Sequence, residues 1–118
     1  MKSGDFRNVF EQADYKASHP ALLLLARSNT LGVPRIGFVI AKKNVKLATS
    51  RNRAKRIIRD RFRLSQHHLP AIDIVVIARR PLAEIENTDL HSSLAKLLTK
   101  LSRQYEQNPP NRPVTPIT

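Results

Sequence analysis

Residues 51 to 63 read RNRAKRIIRDRFR, and this stretch decides how the rest of the chain is arranged. Seven of its thirteen positions are Arg or Lys, and Asp60 is its only acid. At about 100° per residue of helix, Leu47, Ala54, Ile58 and Phe62 fall on one side, while Asn52, Lys55, Arg56, Arg59 and Arg63 gather in an arc of roughly 100° on another. Arg51, Arg53 and Arg61 fall off that arc, toward flanking nucleic acid or the sheet. A helix is therefore expected over about Leu47 to Ser65, with one face for a core and one for a partner. On either side of it lie β-branched runs, Ile36 to Ala41 and Ile72 to Ala78, which read as strands. The three together form a β-α-β unit.

Working outward, Phe6, Val9, Phe10 and Ala13 recur at i, i+3, i+4 and i+7 behind a capping Ser3, which predicts a short first helix. Tyr15 to Ser18 reads as a strand. The leucine run Ala21 to Ala26 favours helix by propensity, but it is short, follows Pro20, and leads through the turn-rich Asn29 to Pro34 into Ile36 to Ala41. It is expected to form a hairpin with that segment. Toward the other end, Asn87 or Thr88 is a capping residue for a last helix whose stripe is Leu90, Leu94, Leu97, Leu98, Leu101 and Tyr105. The order α-β-β-β-α-β-α, with the helices covering one sheet face, predicts an α+β fold, a two-layer α/β sandwich.

A chain of 118 residues closes one modest core, expected here over residues 1–106. The tail from Gln107 to Thr118 holds four of the eight prolines and is expected to stay extended or disordered. The balance of 21 basic against 9 acidic residues gives a net charge of +12, a field that draws polyanions, nucleic acid first among them. With no cysteine, thiol catalysis and thiolate metal sites are excluded. No apolar run is long enough to span a bilayer and no secretory h-region opens the chain, so no membrane role and a cytoplasmic location are expected.

A run of charge is ordinarily a solvated helix face of mixed sign. Residues 51 to 63 are hardly mixed, and like charges one turn apart repel by a few tenths of a kcal/mol per pair. Such a helix is suited to phosphates: guanidinium forks bind their oxygens bidentately, and neutralised phosphates release counterions.

These residues resemble the protein component of bacterial ribonuclease P. The resemblance is carried by Arg35-Ile36-Gly37, the Lys42-Lys43 pair, Arg51-Asn52-Arg53, Lys55-Arg56, Arg59 and Phe62-Arg63. Phe6 to Phe10 matches the family's early Phe-x-x-Val-Phe, and Asp73 to Arg80 its apolar strand with a basic end. The resemblance implies a small mixed central sheet, a left-handed β-α-β crossover through the basic helix, and a cleft between the first helix and the sheet. It implies that the catalyst is the RNA subunit with Mg²⁺ bound mainly by RNA, that the reaction removes the 5′ leader of precursor tRNA, and that this chain supplies no catalytic residue and no metal ligand. The partners so implied are the catalytic RNA and precursor tRNA, with no obligate protein partner. Arg51, Asn52, Arg53, Lys55, Arg56, Arg59 and Arg63 would bind RNA, and Phe6, Phe10, Phe38, Lys42 and Lys43 would line the leader cleft or its rim. Unpaired bases stack on aromatic faces at about 1 to 3 kcal/mol each, and lysines follow a backbone without reading sequence. An i, i+4 pair such as Phe6 and Phe10 is also an ordinary core pattern.

Two features depart from the family pattern. Many relatives carry a basic segment ahead of the first helix, where this chain starts close to Phe6, so either the N-terminus is shortened or that contact is expected to be missing. Some relatives place an aromatic where Leu23-Leu24 stand, so leader binding is expected to rest more on charge. His19, His67, His68 and His91 have no carboxylate cluster to make a metal site with, and Glu84, Glu86 and Asp89 sit where helix-start acids are commonplace. Composition alone also allows a non-catalytic structural protein that binds ribosomal RNA or DNA.

Overall fold

The computed structural model describes residues 3–110, so most of the expected tail lies outside the described residues, as do Met1 and Lys2. Helix α1 (Ser3–Gln12) leads into β1 (Tyr15–His19), β2 (Leu22–Ser28) and β3 (Arg35–Val39); α2 (Ala48–Ser65) precedes β4 (Ile72–Ala78), and α3 (Asn87–Gln107) follows it. The four strands form one mixed sheet in the order β1-β2-β4-β3. β1 pairs antiparallel with β2, β2 antiparallel with β4, and β3 parallel with β4. The β-α-β unit and the α+β class are therefore present as expected, with α2 as the crossover between parallel neighbours.

The expected hairpin between the leucine run and Ile36 to Ala41 is not formed. β2 pairs instead with β1, across the Pro20-Ala21 turn, and β4 lies between β2 and β3. The cause is β4 itself. Its seven residues IDIVVIA are buried at every position but Ile77, which only a central strand covered on both faces allows. β2 also has a neighbour on each side but buries only alternate residues, so one of its faces stays partly open. The link of residues 29–34 has only to cross two strand spacings, about 10 Å, and six residues reach roughly twice that. Asn29 donates its N–H to the Ala71 carbonyl at 2.9 Å where the link passes the start of β4, and Gly32 supplies the positive φ of 79° that the turn requires.

On one sheet face, Leu22, Leu24, Ala26, Ile72, Ile74, Val76 and Ala78 meet Ala54, Ile57 and Ile58 of α2 and the five buried leucines of α3 in a single core. Each buried Val, Leu or Ile side chain among them contributes about 1.5 to 3 kcal/mol, and each Ala less. The α3 stripe is as expected, but α3 starts at Asn87 itself, because the Asn87 side chain is taken by Arg53 and its Oδ1 accepts from that guanidinium at 2.8 Å. α2 starts one residue later than expected, and Leu47, placed on the core side by helical spacing, sits in extended backbone before it with 66% of its surface exposed. Ile57 takes a core position in its stead.

One helix departs from the single-face covering. α1 packs on β2 and β4 from the opposite side, where Val9 is buried and where Val75 is closed from solvent. It ends at Gln12, leaving Ala13 outside the helix and exposed. Val9 is its one buried residue.

Candidate nucleic-acid interface

The charged face of α2 forms because the core claims only one side of it. With Ala54, Ile57, Ile58 and Phe62 turned to the sheet, Asn52, Arg56, Arg59 and Arg63 are exposed and Lys55 is half-buried beside them. Within this arc the only ion pair among the described residues is a loose one, Arg63 to Asp60 at 3.8 Å and largely solvent-exposed, of the kind that contributes little. Lys55, Arg56 and Arg59 have no carboxylate within 4.0 Å among the described residues. The arc also lacks an acid in the first turn of α2, so the helix N-terminus adds partial positive charge on the same side of the molecule.

Two arginines of the predicted set are engaged elsewhere. Arg51 folds back on the loop before α2, donating from Nη1 to the carbonyls of Val45 and Lys46, both at 2.9 Å. Arg53 crosses to the start of α3, donating to the Ile85 carbonyl at 3.1 Å and to Asn87, with a longer contact to Leu82. Their spacing had already set them off the arc, and the structure turns them to carbonyls that would otherwise lack donors. Arg61 is half-buried, with Nε closed from solvent.

The loop between β3 and α2 presents more cations. Val45 is a fully buried plug, and Asn44 donates its side-chain amide to the Ala78 carbonyl at 3.1 Å, so Lys42, Lys43 and Lys46 are held outward on a fixed turn. Lys43, Lys46 and Arg80 line a groove beside the α2 N-terminus with Ser50 and Glu84. Lys46 and Arg80 were not singled out from sequence. The basic end of the strand before Pro81 was the signal for Arg80, and Lys46 differs from its neighbours only through the turn that aims it.

On the opposite sheet face a second surface lies open. Phe6 of α1 is half-buried and Phe10 is 46% exposed, while Leu23, Leu25, Val39 and Ile77 are only partly covered. α1 closes one end of this strip and the Lys42-Lys43 turn stands beyond the other, past the end of β3. Phe38 is not part of it. Its register partner is Val76, which puts its ring on the α2 face with Ile36 and Phe62, and the Arg59 guanidinium lies over it at 5.1 Å. A period of two along β3 decides this, since Phe38 and Gly37 must point to opposite faces.

The α1 end of the strip is held by ion pairs. Arg35 donates to Asp73 bidentately, Nε to Oδ1 at 2.8 Å and Nη2 to Oδ2 at 2.7 Å, and its Nη1 reaches Asp5 Oδ2 at 3.4 Å. Asn29 adds a bond to Asp73 Oδ1 at 2.9 Å. The Asp73 bond, with the nearby charges of Asp73 and Asp5, holds the Arg35 guanidinium above its ordinary pKa, against the opposing effect of burial. No group of three or more His, Asp or Glu side chains among the described residues is arranged to hold a metal ion.

Comparison with known proteins agrees with this architecture. The sequence profile of the family described as Ribonuclease P matches residues 1–102. The chain is similar to the ribonuclease P protein component of Chromohalobacter salexigens, 47% identical over 107 residues, covering 91% of this chain and 84% of that one. It is similar to that of Pseudomonas aeruginosa at 50% over 115 residues, 98% of this chain and 80% of the other. Among solved structures, the Staphylococcus aureus RNase P protein superposes with a TM-score of 0.79 at 28% identity, over 86% of this chain and 94% of that one. The Thermotoga maritima RNase P protein gives 0.71 at 31%, over 80% and 88%.

Proposed function

Because the chain belongs to the ribonuclease P protein family, it is an RNA-binding component of a tRNA-processing ribonucleoprotein, and we propose that it binds the catalytic RNA through the open arc of α2 and the leader of precursor tRNA across the opposite sheet face. The observation that carries this reading is the arc itself: Asn52, Lys55, Arg56 and Arg59 stand together on a helix whose other side is locked in the core. Cations left without carboxylates on a rigid helix are organised for phosphates before the RNA arrives, so little ordering cost falls on binding.

Arg51 and Arg53 act indirectly in this scheme, by fixing the loop and the α3 start that frame the arc. Phe6 and Phe10 offer ring faces to unpaired leader bases, and Lys42 and Lys43 follow the backbone at the far rim. Phe38 stiffens the RNA-binding face from beneath Arg59. Binding the leader in this way favours precursor over mature tRNA, since only the precursor has a strand to place there.

The proposal assigns phosphodiester hydrolysis and its magnesium ions to the RNA. Asp5 and Asp73, acids of the cleft region, both face Arg35 and are not arranged as metal ligands. Magnesium held by RNA phosphates would supply the activated water and stabilise the leaving oxygen; this chain's residues bind and orient. The proposed location is the cytoplasm, and no described helix is long and apolar enough to cross a membrane.

Reconstitution tests the reading. The purified protein is mixed with a bacterial ribonuclease P RNA and precursor tRNA at low magnesium, and 5′ cleavage is followed. Stimulated cleavage is expected; RNA binding without stimulation would leave a structural RNA-binding role instead.

A further inference from the structure

α1 is a poorly anchored element. It has ten residues, shorter than an isolated helix needs for stability in water, and only Val9 is buried. Besides the packing of Val9 and the half-buried Phe6, α1 is tied to the sheet by the bridge in which Asp5 of α1 meets Arg35 of β3, itself clamped to Asp73 of β4. The Arg35 fork is planar and held at two points by Asp73, so its third nitrogen is aimed at α1 by the sheet. Asp5 lies one residue before Phe6, which places the bridge at the root of the proposed stacking surface.

We propose that Asp5 and Arg35 are positioning residues for the 5′ leader: the bridge sets the height and angle of α1 over the sheet, and so the width of the strip between Phe6, Phe10 and the open side of β2 and β4. The proposal rests on the leader-cleft reading above. Its chemistry runs against the simplest electrostatics, because an acid is kept beside a surface meant for a polyanion. A carboxylate there is tolerable when the geometry it fixes is worth more than its repulsion, which Arg35 offsets only in part because Asp73 draws on the same guanidinium.

That opposition gives a test with a sign. In the reconstituted holoenzyme, Asp5→Asn is compared with the wild type for affinity toward precursor and mature tRNA, at temperatures well below the melting midpoint of each protein. Loss of positioning should weaken precursor binding by roughly three- to tenfold, a fraction of one stacked base, and leave mature tRNA affinity, catalytic-RNA affinity and kcat at saturating precursor unchanged. Asp5→Glu, which keeps a carboxylate within reach of Arg35, should recover most of the loss. If Asp5 were only a surface acid, Asp5→Asn would bind precursor more tightly; tighter or unchanged binding overturns the proposal. Failure of the leader-cleft reading has a different signature, a wild-type holoenzyme that binds precursor and mature tRNA equally.

Discussion

The guanidinium carbon of Arg59 lies 5.1 Å from the centroid of the Phe38 ring, joining the charged face of α2 to the edge strand β3. A cation over an aromatic face gains about 0.5 to 1 kcal/mol at an exposed site. The pair ties Arg59 to the Phe38 ring, so one side chain of the proposed RNA-binding arc has a defined position before any RNA binds.

Arg56→Ala and Arg59→Ala should each weaken binding to the catalytic RNA and reduce the salt dependence of that binding by about one counterion. Titrations over a range of potassium concentrations read the slope directly. An unchanged slope in both variants would remove these residues from the interface.

Arg53→Ala should behave differently, because its guanidinium is spent on the Ile85 carbonyl and Asn87. The expected loss is about 1 to 2 kcal/mol of unfolding free energy in urea, from carbonyls left without their donor. The salt slope of RNA binding should stay near that of the wild type. Arg53→Lys should recover part of that loss, since Nη1 alone makes both bonds and an ammonium can donate to two acceptors, while the longer Nη2 contact to Leu82 is lost.

Phe38→Ala should lower stability by about 2 kcal/mol, less than a fully buried phenylalanine would cost, because the ring is only partly covered. Discrimination between precursor and mature tRNA should persist, as Phe38 faces α2 and not the open strip. Loss of that discrimination in a folded Phe38→Ala protein would return the residue to the leader cleft.

Asp73→Ala removes the acceptor shared by the Arg35 fork and the Asn29 amide, leaving Arg35 with Asp5 and Asn29 with the Val33 carbonyl. The Arg35 side chain is about one third exposed, so the cost should stop short of that of a dry ion pair, at about 2 kcal/mol in urea unfolding. An unfolding free energy equal to the wild type would show that the clamp is not a stabilising element.

Sequence made the elements legible wherever one periodicity dominated. The strand Ile72–Ala78 and the α3 leucine stripe are found where the pattern put them, and the exposed arc of α2 is the one that its spacing predicts. What sequence did not carry was pairing. Strand neighbours are chosen by which segment most needs burial on both faces, and β4, late in the chain, wins the centre from the hairpin that proximity suggests. Phe38 shows the same limit at the level of a side chain. Its family match puts it near the cleft, but the face it takes follows from a register with Val76 that lies 38 residues away. Arg51 and Arg53 are a third case: their motif is visible as charge, while the carbonyls that absorb them appear only after the loops fold.

The central position of β4 also orders events in time. During synthesis β1 and β2 can pair as soon as they emerge, but β3 then has no neighbour, and α2 follows with its apolar side uncovered. Only when residues 72–78 arrive do the two halves of the sheet join, through contacts of long sequence separation that are slow to form. Until that strand slides into its slot, the cationic helix has no platform, so competence to bind RNA is a property of the nearly finished chain and not of the segment that carries the charge.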